Sequence, residues 1–150
     1  MKKYWLIALC VLACVALLGI IFPFSFNTGD TSAIDTGDVA WMLASTALVF
    51  LMTPGLGFFY SGMVKTKNVI STILQSFIAM GLISVLWVVF GFSLAFGESV
   101  GAEGSGLFGN PATFFMFRGV GAAPDPAFAA TIPLALFALF QLKFAIITPA

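Results

Sequence analysis

An all-α membrane protein, a polytopic bundle of transmembrane helices, is the fold class this sequence predicts, and three observations lead to it. Of its 150 residues, 61% are hydrophobic and only 8% charged, whereas soluble domains use roughly 45–50% apolar and about 25% charged residues. The few charges cut the chain into four apolar blocks, each long enough, or nearly so, for the roughly 20 residues that cross a hydrocarbon core. Lys and Arg also alternate with acidic residues from one inter-block segment to the next, as they do when a chain threads back and forth across a membrane.

The same composition excludes several functions. Six Lys and Arg balance six Asp and Glu, so no basic stripe exists to neutralise phosphates, and nucleic acid is not an expected partner. No His is present, which removes the imidazole as metal ligand, proton shuttle or general base. Cys10 and Cys14 stand four apart in the first apolar block, too few for a disulfide framework or a zinc site. No metal cofactor is expected.

The first block runs from Tyr4 to about Phe26 behind Lys2 and Lys3, with small residues Thr31-Ser32-Ala33 beyond it. A basic start, an apolar stretch and small residues describe a secretory signal peptide over residues 1–33. The apolar stretch exceeds the usual length, so a retained anchor helix is the other reading. The second block, Val39 to Val64, contains no charge and predicts a tilted span with a kink at Pro54. The third extends from Asn68 to Gly97. The fourth opens near Ala127 and is still running at Ala150. Glu98 to Pro126 reads as an aqueous loop with a short helix around Thr113 to Phe117.

The positive-inside rule orients these spans consistently. Lys2 and Lys3 start on the cytoplasmic side. Asp30, Asp35 and Asp38 lie outside, Lys65 and Lys67 inside, and Glu98 and Glu103 outside again. The mature amino terminus is predicted to be extracytoplasmic, and the last helix enters from outside. The last block reaches Thr148-Pro149-Ala150 with no basic flank, and the chain is expected to be the amino-terminal part of a longer protein.

Within the spans, Thr53-Pro54-Gly55-Leu56-Gly57-Phe58-Phe59-Tyr60-Ser61-Gly62 concentrates helix breakers and small residues, tolerated only against protein or a wet cavity. Gly57 and Ser61, four apart, predict close helix packing, with a place along a permeation path as the alternative. Ser71, Thr72, Gln75, Ser76 and Ser84 are expected to bond across helices. In the final block Phe137, Phe140 and Phe144 align on one helical face beside Gln141. Such rings attract a desolvating cation by roughly 0.5–2 kcal/mol or close an apolar constriction, or else pack against lipid and core. Lys143 is the one charge inside any block after the first. Some ~15–24 Å into a helix from the outer side, it costs at least about 2.5–3.5 kcal/mol near mid-bilayer. Its compensation by a carboxylate, carbonyl or cavity is expected from residues beyond these spans, from another subunit or by snorkelling, as a structural ion pair inside a bundle or a site near a transport path.

Several motifs in one order resemble the ammonium transporter (Amt/Mep/Rh) family over most of the chain from about Asp35. Asp38-Val39-Ala40-Trp41-Met42-Leu43, Thr53-Pro54-Gly55-Leu56 and Phe59-Tyr60-Ser61-Gly62 are similar to its first helix, with Ser61 where Gly is common. Lys67-Asn68-Val69 and Gln75 resemble the start of its second, and Leu86-Trp87 through Gly91-Phe92-Ser93-Leu94-Ala95-Phe96-Gly97 its end. Phe140-Gln141 and Phe144-Ala145-Ile146-Ile147-Thr148-Pro149-Ala150 resemble its third.

The resemblance implies the amino-terminal three helices, over 34–150, of an eleven-helix protomer in a homotrimer of the cytoplasmic (inner) membrane. Each protomer would carry an apolar pore for ammonium or ammonia, with no cofactor and no enzymatic chemistry. Phe140 resembles the aromatic residue at the floor of the outer vestibule, and Phe144 follows one turn deeper, so both are candidate substrate-binding residues. The family's twin pore histidines, its helix-five acidic residue and the tryptophan that completes the outer site fall beyond residue 150. A PII-type regulatory protein on the cytoplasmic side is an implied partner of a transporter. The same fold with a downstream signalling domain would instead be an ammonium sensor. Lys143 matches no family role.

Overall fold

A computed structural model of the chain describes residues 10, 11, 13, 14 and 17, then 28–100 and 106–150. The segment expected to be a signal peptide, 1–33, lies mostly outside the described residues, as does Glu103. Among the described residues the regular structure is helical: α1 (Thr36–Phe50), α2 (Met52–Ser61), α3 (Val69–Leu86), α4 (Phe92–Phe96) and α5 (Leu134–Ile147). Short 3₁₀ turns occupy Thr66–Asn68 and Phe115–Phe117, and a π-turn, Trp87–Gly91, joins α3 to α4.

Two apolar helical stretches, Thr36–Ser61 with 26 residues and Thr66–Phe96 with 31, are long enough to cross a membrane. α1 begins where Asp35 caps it, its carboxylate accepting from the N–H of Gly37 at 2.7 Å and of Asp38 at 3.0 Å, which satisfies two of the free donors of the first turn. Just before it, the Ser32 N–H and hydroxyl hold the exposed Asp30 carboxyl below the usual carboxylate range. The interruption expected at Pro54 falls three residues upstream, at Leu51. Pro54 has no N–H for the Phe50 carbonyl and its ring crowds that group, so the helix breaks in the turn before the proline.

Thr53, Gly57 and Ser61 are the buried residues of α2, one stripe at four-residue spacing. A Cβ on Gly57 would lie 3.1 Å from Ser76 Oγ and 3.2 Å from Ser76 Cβ, so the stripe packs directly on α3, as the sequence predicts. The cross-helix bonds expected of Thr72 and Ser84 do not form. Their hydroxyls donate back along α3, to the carbonyls of Asn68 at 3.1 Å and Met80 at 2.6 Å, because a hydroxyl reaches the carbonyl four residues behind it without any partner helix.

α5 is shorter than its apolar block. It starts at Leu134, with extended Pro133 as its N-cap, rather than near Ala127. Asp125 turns the chain instead, its carboxylate accepting from the Ala127 N–H at 2.8 Å and its backbone pairing with Ala129. The first N–H groups of α5 donate to loop carbonyls, Leu134 to Ala123 at 3.2 Å and Ala135 to Gly121 at 3.1 Å. Its 14 residues cover about 21 Å.

The core lies where α3, the π-turn, α4, the loop and α5 meet: Trp87, Phe92, Val120, Leu134, Ala138, Leu142 and Ile146. Phe92, fully buried, is its centre, with ring centroids at 5.2 Å from Phe96 and Phe114, 5.6 Å from Phe117 and 5.9 Å from Trp87. Ser93 beside it is also fully buried. It donates to the Asn110 carbonyl at 2.9 Å and accepts from the Phe114 N–H at 2.8 Å, tying the loop to the helix. A Cβ on Gly109 would lie 2.5 Å from the Ser93 carbonyl oxygen, so only glycine admits the loop this close. The short helix expected over 113–117 is the 3₁₀ turn Phe115–Phe117, in which Met116 and Phe117 take left-handed φ of 55° and 60°. That backbone costs of order 1–2 kcal/mol per residue and returns Phe117 to the Phe92 ring.

Many outward-facing positions are large and apolar, among them Trp41 at 74% exposure, Leu48 at 71% and Ile70 at 79%, as helices flanked by lipid or further helices require. Ser71 and Gln75 of α3, expected to bond across helices, are exposed. Two substitutions test this packing in the full-length protein. Gly57→Leu forces apart α2 and α3 and is expected to lower stability by about 1–3 kcal/mol; Ser93→Ala strands the Phe114 N–H, for a similar loss. Thermal unfolding in mild detergent measures both, and an unchanged midpoint for Gly57→Leu refutes the close contact.

Candidate functional site

The candidate site follows from how α5 is held. Its buried residues, Leu134, Leu136, Ala138, Leu142 and Ile146, face the core described above. Phe137, expected to share a stripe with Phe140 and Phe144, is drawn instead into the aromatic cluster. Its ring lies 5.1 Å from Phe96 and stacks on Phe128 at 6.2 Å. Rotation of α5 that buries Ala138 completely turns Phe137 toward α4 and the loop.

Phe140 and Phe144 remain together. Their centroids are 5.2 Å apart at 65° between planes, edge to face, the arrangement in which the positive edge of one ring meets the negative face of the next. Phe140 is half-buried and Phe144 is 41% exposed, so the pair presents aromatic surface outside the core. Gln141 beside them is half-buried. The pair can offer a π-face to a cation that has shed water, or close an apolar passage.

Lys143 has a partner within the chain that sequence reading missed. Its Nζ stands over the Phe50 ring, 4.7 Å from the centroid, so the last residue of α1, at the break before Pro54, meets the middle of α5. Counted from Leu134, the lysine is about 14 Å along the helix, shallower than the full block predicts. No signal in the sequence points to Phe50, since one ring among 18 Phe is distinguished only by the kink that aims it.

The outer end of α1 is tied to the same region. The Asp35 N–H donates to the Thr131 carbonyl at 2.9 Å, and the Thr131 hydroxyl donates to Asp38 at 2.6 Å. Trp87, from the π-turn, donates its indole N–H to the Ala138 carbonyl at 3.2 Å. Sequence reading places Trp87 in a motif; that a buried indole needs an acceptor is general, but which carbonyl supplies it is visible only in the fold. Among the described residues no cluster of His, Cys, Asp or Glu suits a metal ion.

Comparisons with known proteins place this geometry. A family model described as the Ammonium Transporter Family matches residues 40–150. An ammonium transporter of Mycobacterium tuberculosis is 46% identical over 129 residues, spanning 77% of this chain and 26% of that protein. One of Bacillus subtilis is 45% identical over 118 residues, 76% of this chain and 26% of the relative. The crystal structure of Saccharomyces cerevisiae Mep2 superposes with a TM-score of 0.64 at 30% identity, covering 81% of this chain and 27% of that one. The chain therefore spans about a quarter of the length of the relatives it matches.

A double-mutant cycle tests the lysine contact. Lys143→Met and Phe50→Leu, alone and together in the full-length protein, are expected to show a coupling of about 0.5–2 kcal/mol in detergent unfolding. Lys143→Met by itself should be neutral or stabilising, because the ring offsets only part of the ~2.5–3.5 kcal/mol cost of a lysine in a span. Strict additivity contradicts the contact.

Proposed function

This chain belongs to the ammonium transporter family and is part of a multi-pass helical membrane protein, and from that we propose that the protein moves ammonium across its membrane. The observation that carries the proposal is the family match over residues 40–150, a range that takes in most of α1 and all of α3 and α5. In this reading the substrate meets Phe140 and Phe144 first. The ring pair supplies aromatic faces in place of part of the hydration shell, and the apolar path beyond excludes the charge that a hydrated ion carries. No covalent chemistry is asked of these residues.

Further assignments belong to the same proposal. The sign alternation of Lys65 and Lys67 against Asp30, Asp35, Asp38 and Glu98 supports an extracytoplasmic amino terminus in a cytoplasmic (inner) membrane. Residues 1–33 act as a signal peptide, or as a retained anchor, ahead of the transmembrane domain that starts at 34. The protomers form a homotrimer, each with its own pore, and a PII-type regulator binds from the cytoplasmic side.

The test is uptake of radiolabelled methylammonium by cells devoid of their own ammonium transporters and expressing the full-length reading frame. Saturable uptake is expected. Protein present in the membrane without uptake overturns transport, and ammonium binding without flux would point to a sensor. Phe144→Ala is expected to change uptake per molecule by about two- to thirtyfold, the range a single cation–π face supports, with assembly in detergent preserved. Unchanged flux would assign Phe144 to packing alone.

A further inference from the structure

The π-turn is an irregularity that α3 does not need in order to span. Such turns insert one residue into a helix and rotate its two halves relative to each other. Here the turn begins at Trp87 and ends at Gly91, and both ends serve the same indole. A Cβ on Gly91 would lie 3.1 Å from Trp87 Cε3, so glycine leaves room for the ring. The ring, 9% exposed, contacts Phe92 and Phe96 edge-on, at 5.9 and 6.4 Å. Its N–H crosses to the Ala138 carbonyl of α5 at 3.2 Å.

α5 is thereby gripped at two successive residues by one structural unit: Phe137 by the Phe96 ring at 5.1 Å, and Ala138 by the Trp87 indole. Phe140 follows within a turn and Phe144 one turn later. A helical side chain sits ~6 Å from its axis, so an axial rotation of about 20° moves a ring by about 2 Å. That displacement is comparable to the tolerance of a cation–π contact.

We propose that Trp87, seated by the π-turn and admitted by Gly91, is a positioning residue for substrate: its hydrogen bond to Ala138 sets the axial rotation of α5 and so the presentation of the Phe140 and Phe144 rings. This rests on the reading of those rings as the ammonium entry site. Trp87 touches no substrate. It acts through α5, and its influence is on the affinity of entry rather than on the amount of protein.

The experiment is methylammonium uptake by the full-length protein, normalised to protein in the membrane, with wild type measured beside each variant. Trp87→Phe keeps an aromatic ring and deletes the N–H. It is expected to raise the apparent KM by about two- to tenfold, the range one neutral hydrogen bond supports, with a smaller change in maximal rate per molecule. Gly91→Ala, which pushes the indole but leaves its N–H, should shift KM in the same direction. In a Phe144→Ala background, Trp87→Phe should raise KM by less than it does in wild type, since one of the two rings it positions is gone. An unaltered KM in Trp87→Phe, full additivity with Phe144→Ala, or loss of both single variants from the membrane each overturns the proposal and leaves Trp87 a packing residue. A wild type without uptake would defeat the transport reading itself, a result separate from these.

Discussion

Hydrocarbon offers no hydrogen bonds, and most of this structure derives from that one constraint. Each polar group carried into a span must find its partner within the protein. Thr46, Thr72 and Ser84 return their hydroxyls to carbonyls of their own helix. The opening N–H groups of α5 take carbonyls from the loop, Trp87 takes one from α5, and among the described residues no buried side-chain nitrogen or oxygen lacks a partner. Where a donor is missing, at Pro54, the helix breaks instead.

Under that constraint the arrangement of the rings has a simple energetic meaning. Phe92 and its neighbours form a compact aromatic knot that joins α3, α4, the loop and α5, and edge-to-face pairs add about 0.5–1.5 kcal/mol each beyond burial. The knot is a scaffold. The Phe140 and Phe144 pair lies outside it on the same helix, so rigidity is built next to the surface proposed to receive a cation. Lys143, the residue before Phe144, is a fixed cation set over the Phe50 ring of α1, at the cost of burying a charge that a neutral side chain would avoid.

Much of this is legible in the sequence, and the parts that are not share a cause. Charge-free blocks disclose the spans, and Gly57 with Ser61 a close helix approach, because each depends on residues near one another in the chain; the cap at Asp35, which starts α1 three residues ahead of the apolar block, is seen only in the fold. The start of α5 escapes hydropathy because Ala127 to Ile132 is apolar yet turned by Asp125 and stopped by Pro133, and hydropathy does not register turns. The partner of Lys143 is invisible, since it depends on a kink in another helix. Phe137 leaves the predicted stripe for the same reason: three-residue spacing gives a direction, while the neighbours Phe96 and Phe128 decide what that direction meets.

The link between Thr131 and Asp38 joins residues 93 apart in the chain, and this has a bearing on biogenesis. The hairpin of α2 and α3 is local and can settle as soon as it leaves the translocation machinery. The head of α1 has to wait at the membrane surface until the segment before α5 has been synthesised, so this tie closes late. A ribosome that stalls before codon 131 would leave an inserted hairpin with an unlatched first helix, a species for quality-control proteases to recognise.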